Sequence, residues 1–134
     1  MTFPSIALGG LAAATVVGFV IGGIWFAPPV FGTAWLRALS ISDEDAAKTR
    51  GVGIALAFIA TLVTAYVLGL FVRFAGATSA LEGAAIGFLA WLAFAVAVHL
   101  PAVNLERQPR RFLIDIGHKL TLYTVMGAIL AIWA

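Results

Sequence analysis

Cysteine is absent from this chain, and charge is scarce. Without a thiol there is no disulfide, no thiolate metal site and no cysteine nucleophile. Asp, Glu, Lys and Arg together make up 10% of the 134 residues, where a soluble domain carries roughly 25%. Such a chain cannot clothe a water-facing surface. The net charge of +2, with no basic stripe along any helix, argues against a nucleic-acid partner. Lipid-anchor motifs are missing. The opening Met1-Thr2-Phe3-Pro4 has no Lys or Arg, so the first apolar run is expected to be a retained helix and not a cleaved signal.

What is present is apolar surface, 63% of the residues, and its natural solvent is the lipid bilayer. A spanning helix needs about 20 mainly apolar residues. Four runs meet that length, at residues 5–27, 51–74, 79–100 and 112–133. The expected fold is all-α: a single domain over residues 1–134, built as a four-helix transmembrane bundle. Pro28-Pro29 ends the first run and Pro101 is expected to end the third. Loops are therefore expected at 28–50 and 102–111, the first holding a short interfacial helix over 31–39. Ser42 ahead of Asp43-Glu44-Asp45 reads as a helix N-cap with carboxylates on the positive dipole end.

Basic residues fix the expected orientation. Arg37, Lys48 and Arg50 fall in the first loop and Arg107, Arg110 and Arg111 in the second, against Arg73 alone on the other side. The positive-inside rule makes both loops cytoplasmic and both termini external, in what reads as a bacterial inner membrane.

Helices in lipid associate through small residues that let backbones approach. Gly10, Ala14, Gly18 and Gly22 form such a row on the first span. Gly53, Ala57, Thr61, Ala65 and Gly69 form one on the second, and Ser79, Gly83 and Gly87 one on the third. They predict a tight bundle, with one face left for another copy of the chain.

Ionisable groups within spans are costly and draw attention first. Ser79-x-x-Glu82 has the form of a capping box, and Arg73 on the same side is placed to pair with Glu82. On the opposite side Asp115 can meet both His118 and Lys119 on one helix face, and His99 should reach a similar depth. These four define a candidate polar pocket. A salt-bridged, snorkelling helix end is one reading of it. A proton-accepting or substrate pocket is another, and a His/His/Asp metal site or a histidine-held haem are two more. The spacing is diagnostic of neither metal nor haem, so no metal or cofactor is assigned. Thr61, Thr64, Tyr66, Thr121, Tyr123 and Thr124 offer a polar track, or hydroxyls bonded to their own helix carbonyls.

The end of the first span reads Gly22-Gly23-Ile24-Trp25-Phe26-Ala27-Pro28-Pro29-Val30-Phe31-Gly32-Thr33-Ala34-Trp35. Its Gly-x-x-Trp-aromatic-x-Pro stretch, followed by Phe-Gly and a Trp, resembles a family of bacterial membrane proteins catalogued as domain of unknown function 1761. The resemblance continues in Gly87-Phe88-Leu89-Ala90-Trp91, in Leu113-Ile114-Asp115-Ile116-Gly117-His118 and in Met126-Gly127-Ala128-Ile129-Leu130-Ala131-Ile132-Trp133. It implies a four-span membrane protein and brings no catalytic residues with it. Physically, Trp25, Pro28, Phe31, Gly32 and Trp35 read as an interfacial anchor: tryptophans at headgroup depth, a proline stop and a glycine turn. A loop packed over a ligand pocket is the alternative.

No catalytic constellation is visible, so the chain is read as a non-enzyme. The first functional expectation is a small homo-oligomeric transporter or channel, in which Asp115, His99 or Glu82 faces a wet cavity. The second is a non-catalytic membrane subunit or stability factor acting by helix packing, in which the bundle is dry. A cofactor-bearing membrane enzyme is the third. Apart from the bilayer and further copies of itself, no partner is indicated.

Overall fold

Four helices in the structure, a computed structural model describing residues 1–107 and 109–134, are long and apolar enough to cross a membrane. Gln108, within the expected second loop, and the side chain of Glu106 lie outside the described residues. In chain order the elements are α1 (Leu8–Trp25), a π-helical turn (Pro28–Gly32), α2 (Thr33–Ala38), α3 (Asp43–Lys48) and α4 (Arg50–Ala75). Then come α5 (Ala80–Trp91), a π-helical segment (Leu92–Ala97), α6 (Val98–Glu106) and α7 (Pro109–Ile132). The expected all-α, four-span fold with a short interfacial helix after the first span is what forms.

Local chemistry explains the boundaries. The Ser42 hydroxyl accepts the Asp45 amide at 3.1 Å, capping α3. Gly76 closes α4 with φ of 69°, and the Ala77 amide reaches back to the Val72 carbonyl at 3.1 Å. That left-handed turn satisfies carbonyls a helix end would otherwise leave open. Ser79 and Glu82 form a complete capping box at the start of α5.

Pro101 does not end the third span. The helix runs on to Glu106, so the stretch expected as a loop at 102–111 is helical on both sides of residues 107 and 108. Proline removes an amide and crowds the carbonyl four residues back. In membrane helices such a defect is absorbed by a local change of pitch, and the π-helical turn at Leu92–Ala97 lies immediately upstream. The reversal falls at Arg107, with φ of 50°, and Pro109 occupies the first position of α7, where its missing amide costs nothing.

The fourth span, α7, is the helix on which the others gather: α5, α1 and α4 all pack against it, and α2 touches its N-terminal half. Gly10, Gly18 and Gly22 of α1 face Trp133, Met126 with Leu122, and His118 respectively, while Ala14 is fully buried. The whole α1 row therefore runs antiparallel along α7. Gly83 and Gly87 of α5 press on the carbonyls of Gly127 and Tyr123, and Gly127 presses back on Gly83. A side chain at any of the three would collide with backbone, which is how small residues hold helices together in lipid. The α4 row divides. Thr61, Ala65 and Gly69 are packed, whereas Gly53 has open space around it and Ala57 is exposed.

Candidate functional site

Three tryptophans from three different elements donate their indole N–H groups to one short stretch of α7. Trp25, at the end of α1, bonds to the Ile114 carbonyl at 3.1 Å. Trp35 of α2 bonds to Asp115 Oδ1 at 2.9 Å. Trp91, at the end of α5, bonds to the Ile116 carbonyl at 2.8 Å. An indole has one donor and no acceptor, and when half-buried it needs a partner. Here the partners are three consecutive residues of the central helix.

The geometry depends on the chain after α1 folding back. The Gly32 amide bonds to the Ala27 carbonyl at 3.0 Å, and a side chain at Gly32 would strike the Phe26 carbonyl. This tight π turn places Phe31 on Trp25, with ring centroids 4.8 Å apart, and Trp35 edge-on to Phe26 at 5.1 Å. Trp25 and Trp35, expected at headgroup depth, thus turn their polar atoms inward onto α7. Pro28, Phe31 and Gly32 form the turn that aims them.

His118 meets this aromatic group from α7, 4.9 Å from Phe26 and 6.1 Å from Trp25 between ring centres. Its Nε2 is buried and has no hydrogen-bond partner among the described residues. His118 therefore stands apart from the polar pocket expected to contain it. The other three members do come together. His99, Asp115 and Lys119 line a cleft of about 60 Å³ between α6 and α7, with Val103, Arg111, Phe112 and Ile116.

Within that cleft the ion pairing differs from expectation. Asp115 Oδ2 lies 3.7 Å from Arg111 Nε, one turn earlier on α7, while its Oδ1 holds Trp35. No carboxylate lies within ion-pair distance of Lys119 among the described residues. His99 Nδ1 sits 2.7 Å from the Ala95 carbonyl. A carbonyl only accepts, so Nδ1 carries the proton and Nε2 is the free nitrogen.

Arg73 and Glu82 are not joined by an ion pair among the described residues. Glu82 turns back instead, accepting the amides of Thr78 at 2.9 Å and Ser79 at 3.1 Å. Arg73 lines a slit of about 10 Å³ with Ile6, Gly10 and Trp133. Thr61, Thr121 and Thr124 bond to carbonyls of their own helices, so no hydroxyl track runs through them. Among the described residues no group of three His, Asp or Glu is arranged to hold a metal. Sequence reasoning missed Trp91 as a donor and Gly127 as a contact. The small-residue spacing Gly127-x-x-x-Ala131 on α7, which meets Gly83, is the signal that points to the second.

Three apolar spans gathered on a fourth, two of them and the short helix α2 tied to it by indole N–H groups, describe a multi-pass helical membrane protein. The family model described as "Protein of unknown function (DUF1761)" matches residues 10–131, and the chain belongs to that family. No curated protein and no solved structure matches it.

Proposed function

We propose that this protein is a non-catalytic membrane subunit that works through helix packing, assembling with further copies of itself along the N-terminal half of α4. One observation carries the reading. Every residue from Gly51 to Ala60 is exposed, although helices in a bundle ordinarily bury one face. A side chain added at Gly53 would meet nothing and Ala57 is exposed, and small residues are what a membrane helix presents to a partner.

The polar groups of the spans support the same reading. Asp115 is engaged by Trp35 and Arg111, Glu82 caps α5, and the hydroxyls of Thr61, Thr121 and Thr124 close on their own helices. These side chains hold the fold and leave little to line a passage.

Because the chain has no cysteine, single cysteines report contacts cleanly. In native membranes Val52→Cys or Ala57→Cys is expected to form an oxidant-induced dimer, and Leu122→Cys, buried against α1, is not. Protein reconstituted into vesicles is expected to leave ion permeability at the level of empty vesicles. A monomer at these positions, together with a conductance that Asp115→Asn abolishes, makes transport the function instead.

A further inference from the structure

An apolar groove of about 320 Å³ opens between α4 and the α5–α7 pair, lined by Val63, Val67 and Phe71 on one side and by Ala90, Phe94 and Tyr123 on the other. Its volume matches the lower end of small-ligand pockets, roughly 300–1,000 Å³. It exists because α4 packs on α1 and α7 and meets α5 only sparsely. Val63 and Val67 stand midway along α4, and Phe94 midway along the third span, so the groove faces the centre of the bilayer.

The groove continues into charged ground. Tyr123 shares one face of α7 with Lys119, Ile116 and Phe112, which precede it by four, seven and eleven residues. Those three residues line the α6–α7 cleft together with His99, Arg111 and Asp115. Lys119 lies ten residues into α7, about 15 Å along its axis at 1.5 Å per residue. A cation at that depth requires an anion or a route to the headgroups. Asp115 does not supply the anion, since it faces Arg111 and Trp35. Among the described residues the cleft is lined by two cations, Arg111 and Lys119, and one carboxylate, Asp115.

We propose that groove and cleft together bind one anionic membrane phospholipid, with an acyl chain along Val67, Phe94 and Tyr123 and the phosphate held by Lys119. The groove and the cationic cleft adjoin on one face of α7, with Lys119 one turn from Tyr123 on the side nearer the loop. That order of apolar and cationic surface fits a lipid of this class and suits no water-soluble anion.

The full chain, purified in detergent and given equimolar phosphatidylglycerol and phosphatidylcholine of identical chains, tests this by native mass spectrometry. Retention of phosphatidylglycerol is expected to exceed that of phosphatidylcholine at least threefold. Lys119→Gln is expected to abolish the preference, Lys119→Arg to preserve it, and Lys48→Gln, outside the site, to leave it unchanged. Val67→Trp, which fills the groove, is expected to lower retention of both lipids. Excess inorganic phosphate is expected not to displace the lipid. Three results overturn the proposal: an unaltered preference in a folded Lys119→Gln protein, displacement by inorganic phosphate, or an efficient Val67→Cys dimer in membranes, which puts a second copy in the groove. If Lys119→Gln does not fold, the Lys119→Arg and Val67→Trp comparisons decide by the same criteria.

Discussion

Trp35 donates its indole N–H to the Asp115 carboxylate at 2.9 Å across eighty residues of sequence. This bond fastens the short helix α2 to the central span. Hydrogen bonds to charged groups contribute roughly 1.5–3 kcal/mol, and partial exposure of Asp115 reduces that here. Trp35→Phe keeps the ring against Phe26 and removes only the donor. It is expected to cost about 1–2 kcal/mol, read as an earlier midpoint in denaturant titration. Asp115→Asn retains an acceptor and is expected to cost less. The reverse order shows that the Arg111 pair, not the indole, holds the carboxylate.

The α5–α7 contact gives a sharper contrast between glycines. A methyl group at Gly83, Gly87 or Gly127 meets backbone of the facing helix, which cannot yield as a side chain does. Each Gly→Ala change there is expected to destabilise by about 1–3 kcal/mol, the range for overpacking. Gly53→Ala meets nothing. In the isolated chain it is expected to be neutral or stabilising by up to ~1 kcal/mol through helix propensity. Thermal unfolding of the four variants in one detergent checks the ranking.

Gly32 controls the approach of two tryptophans at once. Gly32→Ala drives a Cβ into the Phe26 carbonyl, so the turn must open and α2 must shift. The expected signature is red-shifted tryptophan emission as the Trp25 and Trp35 indoles lose their partners on α7, together with faster proteolysis between Pro28 and Ser42. Trp91 and Trp133 are unaffected by the same change, so the shift is partial. An unchanged spectrum refutes the coupling of the turn to the indole bonds.

His118 carries a polar atom that is buried without a partner among the described residues. Leaving such a group unsatisfied costs roughly 1–3 kcal/mol. His118→Phe replaces it with an apolar ring among Trp25, Phe26 and Gly22, and is expected to be no less stable than the wild type in a denaturant titration. A clear loss of stability identifies a partner for the imidazole in the membrane. A water or a bound ligand both meet that description.

Much of the fold was legible from residues close together in sequence. Ser42 and Ser79 cap the helices they precede, and hydropathy marks all four spans, because caps and spans depend on a few neighbouring side chains. Pro101 misled for a related reason. A proline rule taken from helices in water does not include the π turn that a membrane helix adopts to keep its carbonyls satisfied. The row Gly10, Ala14, Gly18 and Gly22 was recognisable as a packing face, yet its partner was not. In lipid the apolar faces of different helices are nearly equivalent, so close shape fit selects the partner.

Hydropathy and short-range geometry are enough to give a chain that lives in a bilayer, its four crossings, its caps and its small-residue rows. Tertiary structure alone decided that α7 is central, and that Trp25, Trp35 and Trp91 converge on Ile114, Asp115 and Ile116. It also decided that Asp115 turns to Arg111 and Trp35, that no carboxylate among the described residues pairs with Lys119, and that His118 parts from His99. Each of those outcomes depends on where a side chain's few hydrogen-bonding atoms meet a helix far away in the chain. Helical periodicity places a residue on a face of its own helix, and only the packed bundle determines what that face meets.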